Sequence, residues 1–180
     1  MALTPENVLG RLRGAFGQPY YYAESTPSTQ QLAPAEAPHG SVALAEHQTA
    51  GRGRQGRVWV DRPAAGLSFS VVLRPTQPVA RWPELTLVAA RAVAEAAGAG
   101  ATIKHPNDVL VDGRKAAGVL AEAGDRVVLG IGVNVGSSPW PGGGFVNADR
   151  LELLLTILER LEEHYATWEQ TLPGTGRTSR

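Results

Sequence analysis

The chain has 180 residues and a formal net charge of +0, with 17 Lys+Arg against 17 Asp+Glu. That length fits one domain, and that balance argues against a surface built as a whole to neutralise nucleic acid, while leaving room for a local basic patch. Cys is absent, which excludes disulfides, thiolate metal sites and cysteine nucleophiles. A hydrophobic share of 43% with 19% charged residues suits a globular protein with a real core. The four His residues, His39, His47, His105 and His164, form no close pair, so an HExxH zinc site is missing. No apolar run is long enough for a membrane span. The N-terminus, MALTPENVLGRLRG, lacks the basic start and apolar centre of a secretory signal. A cytoplasmic location is the expectation.

From the N-terminus, Leu3–Phe16 reads as a short amphipathic helix with Thr4 as N-cap before Pro5. Tyr20–Glu24 is aromatic and extended. Ser28 caps a short helix that Pro34 stops. Ser41–Glu46 is a strand, Gln48–Arg57 a glycine-rich loop, and Gly66–Arg74 a strand with period-two alternation. Pro83–Ala97 is a helix ended by Gly98 and Gly100. Short strands follow at Thr102–Lys104, Val109–Val111, Ala116–Glu122 and Arg126–Val135. Asp112-Gly113 is a strong hairpin turn and Gly124-Asp125 a weaker one. The segment SSPWPGGGF is a loop. From Asp149 to about Trp168, Leu151, Leu154, Leu155, Leu158, Leu161, Tyr165 and Trp168 form one apolar helical stripe. The tail, 171–180, reads as disordered, leaving 1–170 as the domain. Hairpins mixed with helices predict an α+β fold with a mixed, largely antiparallel sheet flanked by helices.

Three stretches carry chemistry. In GRGRQGR, Gly51–Arg57, three arginines stand within seven residues, and no acid lies between Glu46 and Asp61. The glycines permit close backbone approach to a ligand, and guanidinium forks suit phosphate and carboxylate oxygens. The competing reading is a solvated loop or a weak RNA-binding segment. In KHPND, Lys104–Asp108, and GRKAAGVLAE, Gly113–Glu122, two lysines flank Asn107-Asp108. A carboxylate beside an amide can hold Mg²⁺ or orient a ligand hydroxyl, and Lys115, opening a strand after a tight turn, suits charge developing on a phosphate. The competing reading is an ordinary turn and a solvated strand end. In GIGVNV, Gly130–Val135, small residues alternate with apolar ones, which lets a ligand lie against the strand.

Taken in order, Ser28-Thr29-Gln30, Gly51–Arg57, Lys104–Gly118 and Gly130–Asn134 resemble the catalytic domain of biotin protein ligases, over roughly Tyr20 to Trp168. The resemblance implies the fold those ligases share with class II aminoacyl-tRNA synthetases. It implies two-step chemistry: biotin and MgATP give biotinyl-5′-adenylate and pyrophosphate, and the acyl group then moves to a lysine of a biotin carboxyl carrier protein, that of acetyl-CoA carboxylase or a similar carboxylase. By resemblance, Arg52 and Arg54 contact the biotin carboxylate and phosphates, and Arg57 the pyrophosphate side. Ser28, Thr29 and Gln48 face the ureido head, with Gly51 beside them. Trp59 stacks on adenine. Lys115 is the main catalytic charge, and Gly118 lets biotin pack on backbone. Asn107 and Asp108 sit near the nucleotide, Asp108 as Mg²⁺ ligand, and Asn134 lies near the adenylate.

The chain departs from the pattern at His105, where the family usually has Trp, and at Gln30, where it usually has Asn. Tyr20 comes too early for the N-terminal helix-turn-helix many members carry, so no operator binding is expected. The chain also ends too soon for the usual C-terminal SH3-like barrel. No nucleic-acid or membrane partner is expected, and a homodimer is left open. The alternatives are a module that binds biotin or its adenylate without turnover, and a lipoate ligase of the same superfamily.

Overall fold

The computed structural model describes residues 1–171. The predicted disordered tail therefore lies outside the described residues, apart from Thr171. Seven strands form one sheet: β1 (Tyr20–Thr26), β2 (Val42–Gln48), β3 (Leu67–Leu73), β4 (Ala101–Lys104), β5 (Asp108–Val111), β6 (Arg114–Ala123) and β7 (Val127–Val133). Their spatial order is β1-β2-β3-β7-β6-β5-β4. Only β1 and β2 run parallel; every other pairing is antiparallel, as the hairpin signals predict. At the β5–β6 turn Asp112 and Gly113 both take positive φ, 50° and 74°, the backbone that a two-residue hairpin needs to match strand twist.

One face of the sheet carries the core. Leu67, Phe69 and Val71 of β3 stand opposite Val133, Ile131 and Leu129 of β7, and all six are buried in one cluster. Helices α2 (Leu85–Ala97) and α3 (Arg150–Gln170) pack together over this face. All seven members of the predicted α3 stripe are buried, joined by Leu153 and Ile157. Each such aliphatic side chain contributes roughly 1.5–3 kcal/mol when fully withdrawn from water. The Asp149 side chain accepts from the N–H groups of Leu151 and Glu152, at 2.9 and 3.1 Å, and so caps the helix.

The N-terminal helix is shorter than expected. α1 covers only Pro5–Val8, followed by one 3₁₀ turn at Leu9–Arg11. Beyond it, tertiary partners replace helical ones. Arg13 pairs with Glu152 at 2.7 Å, and the N–H groups of Ala15 and Phe16 donate to the Glu162 carboxylate. Two glycines in this stretch, Gly10 and Gly14, lower the cost of leaving the helix. Among the described residues no helix is long and apolar enough to cross a membrane.

Candidate active site

The sheet face turned away from the helices borders a cavity of about 500 Å³. Its floor is almost free of side chains. Gly118 of β6 and Gly132 of β7 are direct cross-strand partners, and Gly130 stands opposite Leu120 and Ser70. Alternation along each strand produces this: the residues between these glycines belong to the core.

One end of the cavity is lined by polar groups withdrawn from solvent. Ser28, Thr29 and Gln30 line it and are buried, and buried Ser70 stands behind them. Ser28 caps the 3₁₀ turn Thr29–Gln31, its hydroxyl accepting from the Gln30 N–H. The Gln48 Oε1 accepts from the Thr29 N–H at 2.9 Å and lies 3.2 Å from the Thr29 hydroxyl. That hydroxyl is 2.8 Å from the Ser70 hydroxyl. Such a cluster is suited to a compact head group with several hydrogen-bonding atoms.

On the opposite side stands Lys115. Its Nζ is 2.8 Å from the Asp108 carboxylate. Lys115 and Gly118 are three residues apart, which in a regular strand puts them on opposite faces. The β5–β6 register shifts between Val109 and Leu110, so that Ala117 pairs with Val109 but Lys115 with Leu110. This one-residue bulge returns Lys115 to the cavity face. A Cβ placed on Gly118 would lie 3.6 Å from Nζ and 3.3 Å from the Trp59 ring. Asn107 is locked nearby: its side-chain N–H donates to Val119 O at 3.2 Å, and its Oδ1 accepts from Arg54 at 3.2 Å.

The arginine loop folds as a flap over this face. Arg52 and Val58 bridge antiparallel, the Trp59 N–H donates to Gly51 O at 2.9 Å, and the tip reverses through positive φ at Gln55 and Gly56. Arg52, Arg54 and Arg57 line the cavity yet remain exposed. Arg52 pairs with Glu122 at 3.0 Å. The flap's return is anchored by buried Asp61, which accepts from the Gln48 N–H at 3.1 Å and the Ser68 hydroxyl at 2.8 Å and lies 2.7 Å from His47 Nδ1. Trp59 points inward. A Cβ on Gly132 would approach its indole to 2.3 Å, so only glycine admits this contact. Its ring meets Trp140 edge-on at 6.1 Å, Lys115 Nζ lies 5.9 Å from its centroid, and its buried Nε1 has no partner among the described residues.

Eleven of the thirteen residues singled out from sequence line this cavity: Ser28, Thr29, Gln48, Arg52, Arg54, Arg57, Trp59, Asn107, Asp108, Lys115 and Gly118. Gly51 and Asn134 do not. Gly51 shapes the flap's base, where a Cβ would come within 2.5 Å of Trp59 O. Asn134 is buried outside the cavity, its amide donating to Gly144 O at 2.9 Å. Sequence reasoning missed Gln30 and Trp140 as parts of the lining and Ser70 behind it, whereas Gly130 and Gly132 belong to the stretch read as letting a ligand lie against the strand. The alternation of Ser68 and Ser70 with apolar neighbours was a usable signal for a polar sheet face. Trp140, in a segment read only as a loop, carried none.

Among the described residues no three His, Asp or Glu side chains cluster as a metal cage. On the cavity wall the acidic donor is Asp108, with the Asn107 amide beside it. That donor set fits Mg²⁺ arriving with nucleotide phosphates, which retains waters and takes one or two protein carboxylates.

A mixed sheet with a glycine floor, a lysine on a bulge and a cationic flap places several positive charges around one cavity. A profile of the biotin/lipoate A/B protein ligase family matches residues 22–135. The chain belongs to that family. It is 44% identical over 137 residues to the bifunctional ligase/repressor BirA of Bacillus subtilis, covering 68% of this chain and 42% of the relative. To the biotin–[acetyl-CoA-carboxylase] ligase of Mycobacterium tuberculosis it is 38% identical over 152 residues, 74% of this chain and 57% of the relative. The chain thus spans about half the length of these curated relatives. The biotin protein ligase of Aquifex aeolicus, solved with biotin and ATP, superimposes with a TM-score of 0.76 at 31% identity, covering 84% of this chain and 72% of that one.

Proposed function

We propose that the chain activates biotin as biotinyl-5′-adenylate and passes it to a lysine of a biotin carboxyl carrier protein. The observation that carries the proposal is Lys115, held by Asp108 on the same face as the glycine floor and beneath the arginine flap. The names of the relatives and the biotin and ATP of the Aquifex aeolicus complex support it.

The biotin head is held by Ser28, Thr29 and Gln48, and its tail runs along the glycine floor toward Lys115. The carboxylate and the ATP α-phosphate repel each other; Lys115, Arg52 and Arg54 offset both charges and align them. A carboxylate oxygen attacks the α-phosphorus, an acyl–phosphate bond forms, and the bond to pyrophosphate breaks. Arg57 faces the departing pyrophosphate. Asp108 would be the protein carboxylate for a Mg²⁺ arriving with the nucleotide, which would supply further charge neutralisation on the phosphates. The flap, with Trp59 against the nucleotide, keeps water from the mixed anhydride. The carrier lysine, as free amine, then attacks the acyl carbon; an amide forms, AMP leaves with the bonding pair, and the amine releases one proton.

The cytoplasm is the place of action in this reading, because the reaction consumes ATP. No nucleic-acid partner belongs to this reading and a homodimer is left open; sedimentation velocity over a concentration series, with and without duplex DNA, tests both points. The direct test of function is mass spectrometry of a carrier domain incubated with biotin, MgATP and this protein, alongside biotin-dependent ATP–pyrophosphate exchange. Exchange and a biotinyl mass increment are expected. Binding without exchange overturns catalysis, and exchange with lipoate but not biotin reassigns the substrate.

A further inference from the structure

Gln30 is buried at the polar end of the cavity and fastened on both sides of its amide. Its Nε2 donates to Leu120 O on β6 at 3.2 Å, and its Oε1 accepts from the Ser70 hydroxyl on β3 at 3.3 Å. Its backbone N–H is engaged by Ser28. The side chain lies across Gly130: a Cβ there would meet the Gln30 amide at 3.1 Å. Gln30 therefore spans β3, β7 and β6 and closes the polar end beyond Ser28, Thr29 and Gln48.

We infer that Gln30 is a specificity-determining wall, setting the largest head group the cavity accepts; the inference rests on the biotin reading above. A side chain with one fastening could swing aside for a larger ligand. Gln30 is tied to two strands of the sheet, so yielding would break one buried and one half-buried hydrogen bond and leave the Leu120 carbonyl and the Ser70 hydroxyl without those partners. The same fastening orients the hydroxyl series. With Nε2 committed to Leu120, the Oε1 faces Ser70. The Ser70 proton then points to Gln30, and the Thr29 hydroxyl donates to Gln48 Oε1.

The test compares kcat/KM in pyrophosphate exchange for biotin and two head-enlarged analogues, one methylated on a ureido nitrogen and one with an extra methylene in the sulfur ring. The enzymes are wild type, Gln30→Ala and Gln30→Met, each checked by thermal melting. Gln30→Ala removes the wall, while Gln30→Met keeps its approximate volume without its hydrogen bonds. Wild type is expected to reject both analogues. In Gln30→Ala the preference for biotin over at least one analogue should narrow by about tenfold or more, the scale of discrimination that a methylene commands in a shaped pocket. Gln30→Met, which keeps the volume but neither hydrogen bond, should relax as well, though less than Gln30→Ala. A purely structural role would lower turnover of all three substrates together and leave the ratios unchanged, which would overturn the inference. Full wild-type discrimination by Gln30→Met would overturn it also, by showing that the two hydrogen bonds do not hold the wall. Absence of exchange by wild type with biotin itself would instead defeat the functional reading, so the two failures are distinguishable.

Discussion

Along β7, Leu129, Ile131 and Val133 enter the core beneath the helices, while Gly130 and Gly132 between them turn bare backbone toward the cavity. On β3, Phe69 and Val71 join the same core, and Ser68 and Ser70 face the other way to bond Asp61 and Gln30. The same strands thus serve two environments. The helix-covered face gains stability from apolar area removed from water. The cavity face gives up that area at Gly118, Gly130 and Gly132 to make room for Trp59, Lys115 and Gln30. Stability and chemistry are separated by the thickness of one sheet, so substitutions on the two faces should have different signatures.

The largest effect on chemistry is expected at Lys115. Lys115→Ala should lower biotin-dependent pyrophosphate exchange by about 10²–10³-fold, the scale for losing a fixed charge at a reacting centre. Its half-exposed side chain makes a stability change beyond about 0.5 kcal/mol unexpected. Near-normal exchange would mean that the charge on the bulge is not the one that acts. The largest effect on stability is expected on the other face. Leu154→Ala in α3, fully buried, should cost about 2–5 kcal/mol in urea unfolding while leaving turnover per folded molecule unchanged. A comparable loss of kcat in folded protein would break the separation between faces.

Gly132→Val tests the boundary between them. The added carbon would meet the Trp59 indole, so the flap should be pushed outward, with a red-shifted tryptophan emission and a fall of about tenfold in kcat/KM for biotin. Unchanged emission would show that Trp59 does not rest on this glycine in solution. Arg54→Gly removes the contact from the flap to Asn107 and should shorten the half-life of the bound adenylate; an unaltered half-life would contradict a sealing role.

The smallest effect lies far from the cavity. Hydrogen bonds from Arg81 and Trp168 hold the Glu84 carboxyl below its ordinary value of 4.5. Because the folded-state pKa is depressed, the stabilisation is fully present above the unfolded value and disappears as pH falls through the folded one. Glu84→Gln should therefore be slightly less stable than wild type at neutral pH, and the two should converge in acid. A deficit that persists at strongly acidic pH would assign the effect to packing.

Much of this architecture was legible from local pattern. The α3 stripe, the Asp112-Gly113 turn, the Ser28 cap and the order of the short strands follow from periodicity and turn chemistry, both properties of adjacent residues. The misread N-terminus shows the limit of that approach. Leu3–Phe16 has the composition of a helix, yet Glu152 and Glu162, more than 130 positions later, provide the partners that draw its second half out of helical form. The site divides in the same way. Arg52, Arg54, Arg57, Asp108 and Lys115 announce themselves by charge density near glycines. Gln30 and Ser70 are ordinary polar residues until the sheet brings them together.

Residue type and spacing alone determined the kind of chemistry available here: forked cations beside a lysine and an acid, small residues where a ligand can approach backbone, and no thiol. Only the tertiary structure decided that Lys115 shares a face with Gly118, because that depends on one unpaired residue in the register between β5 and β6. It also decided that Gly130 and Gly132 receive Gln30 and Trp59 from the far side of the cavity. Strand register and contacts between distant segments are collective outcomes of packing, and no window of neighbouring residues contains them.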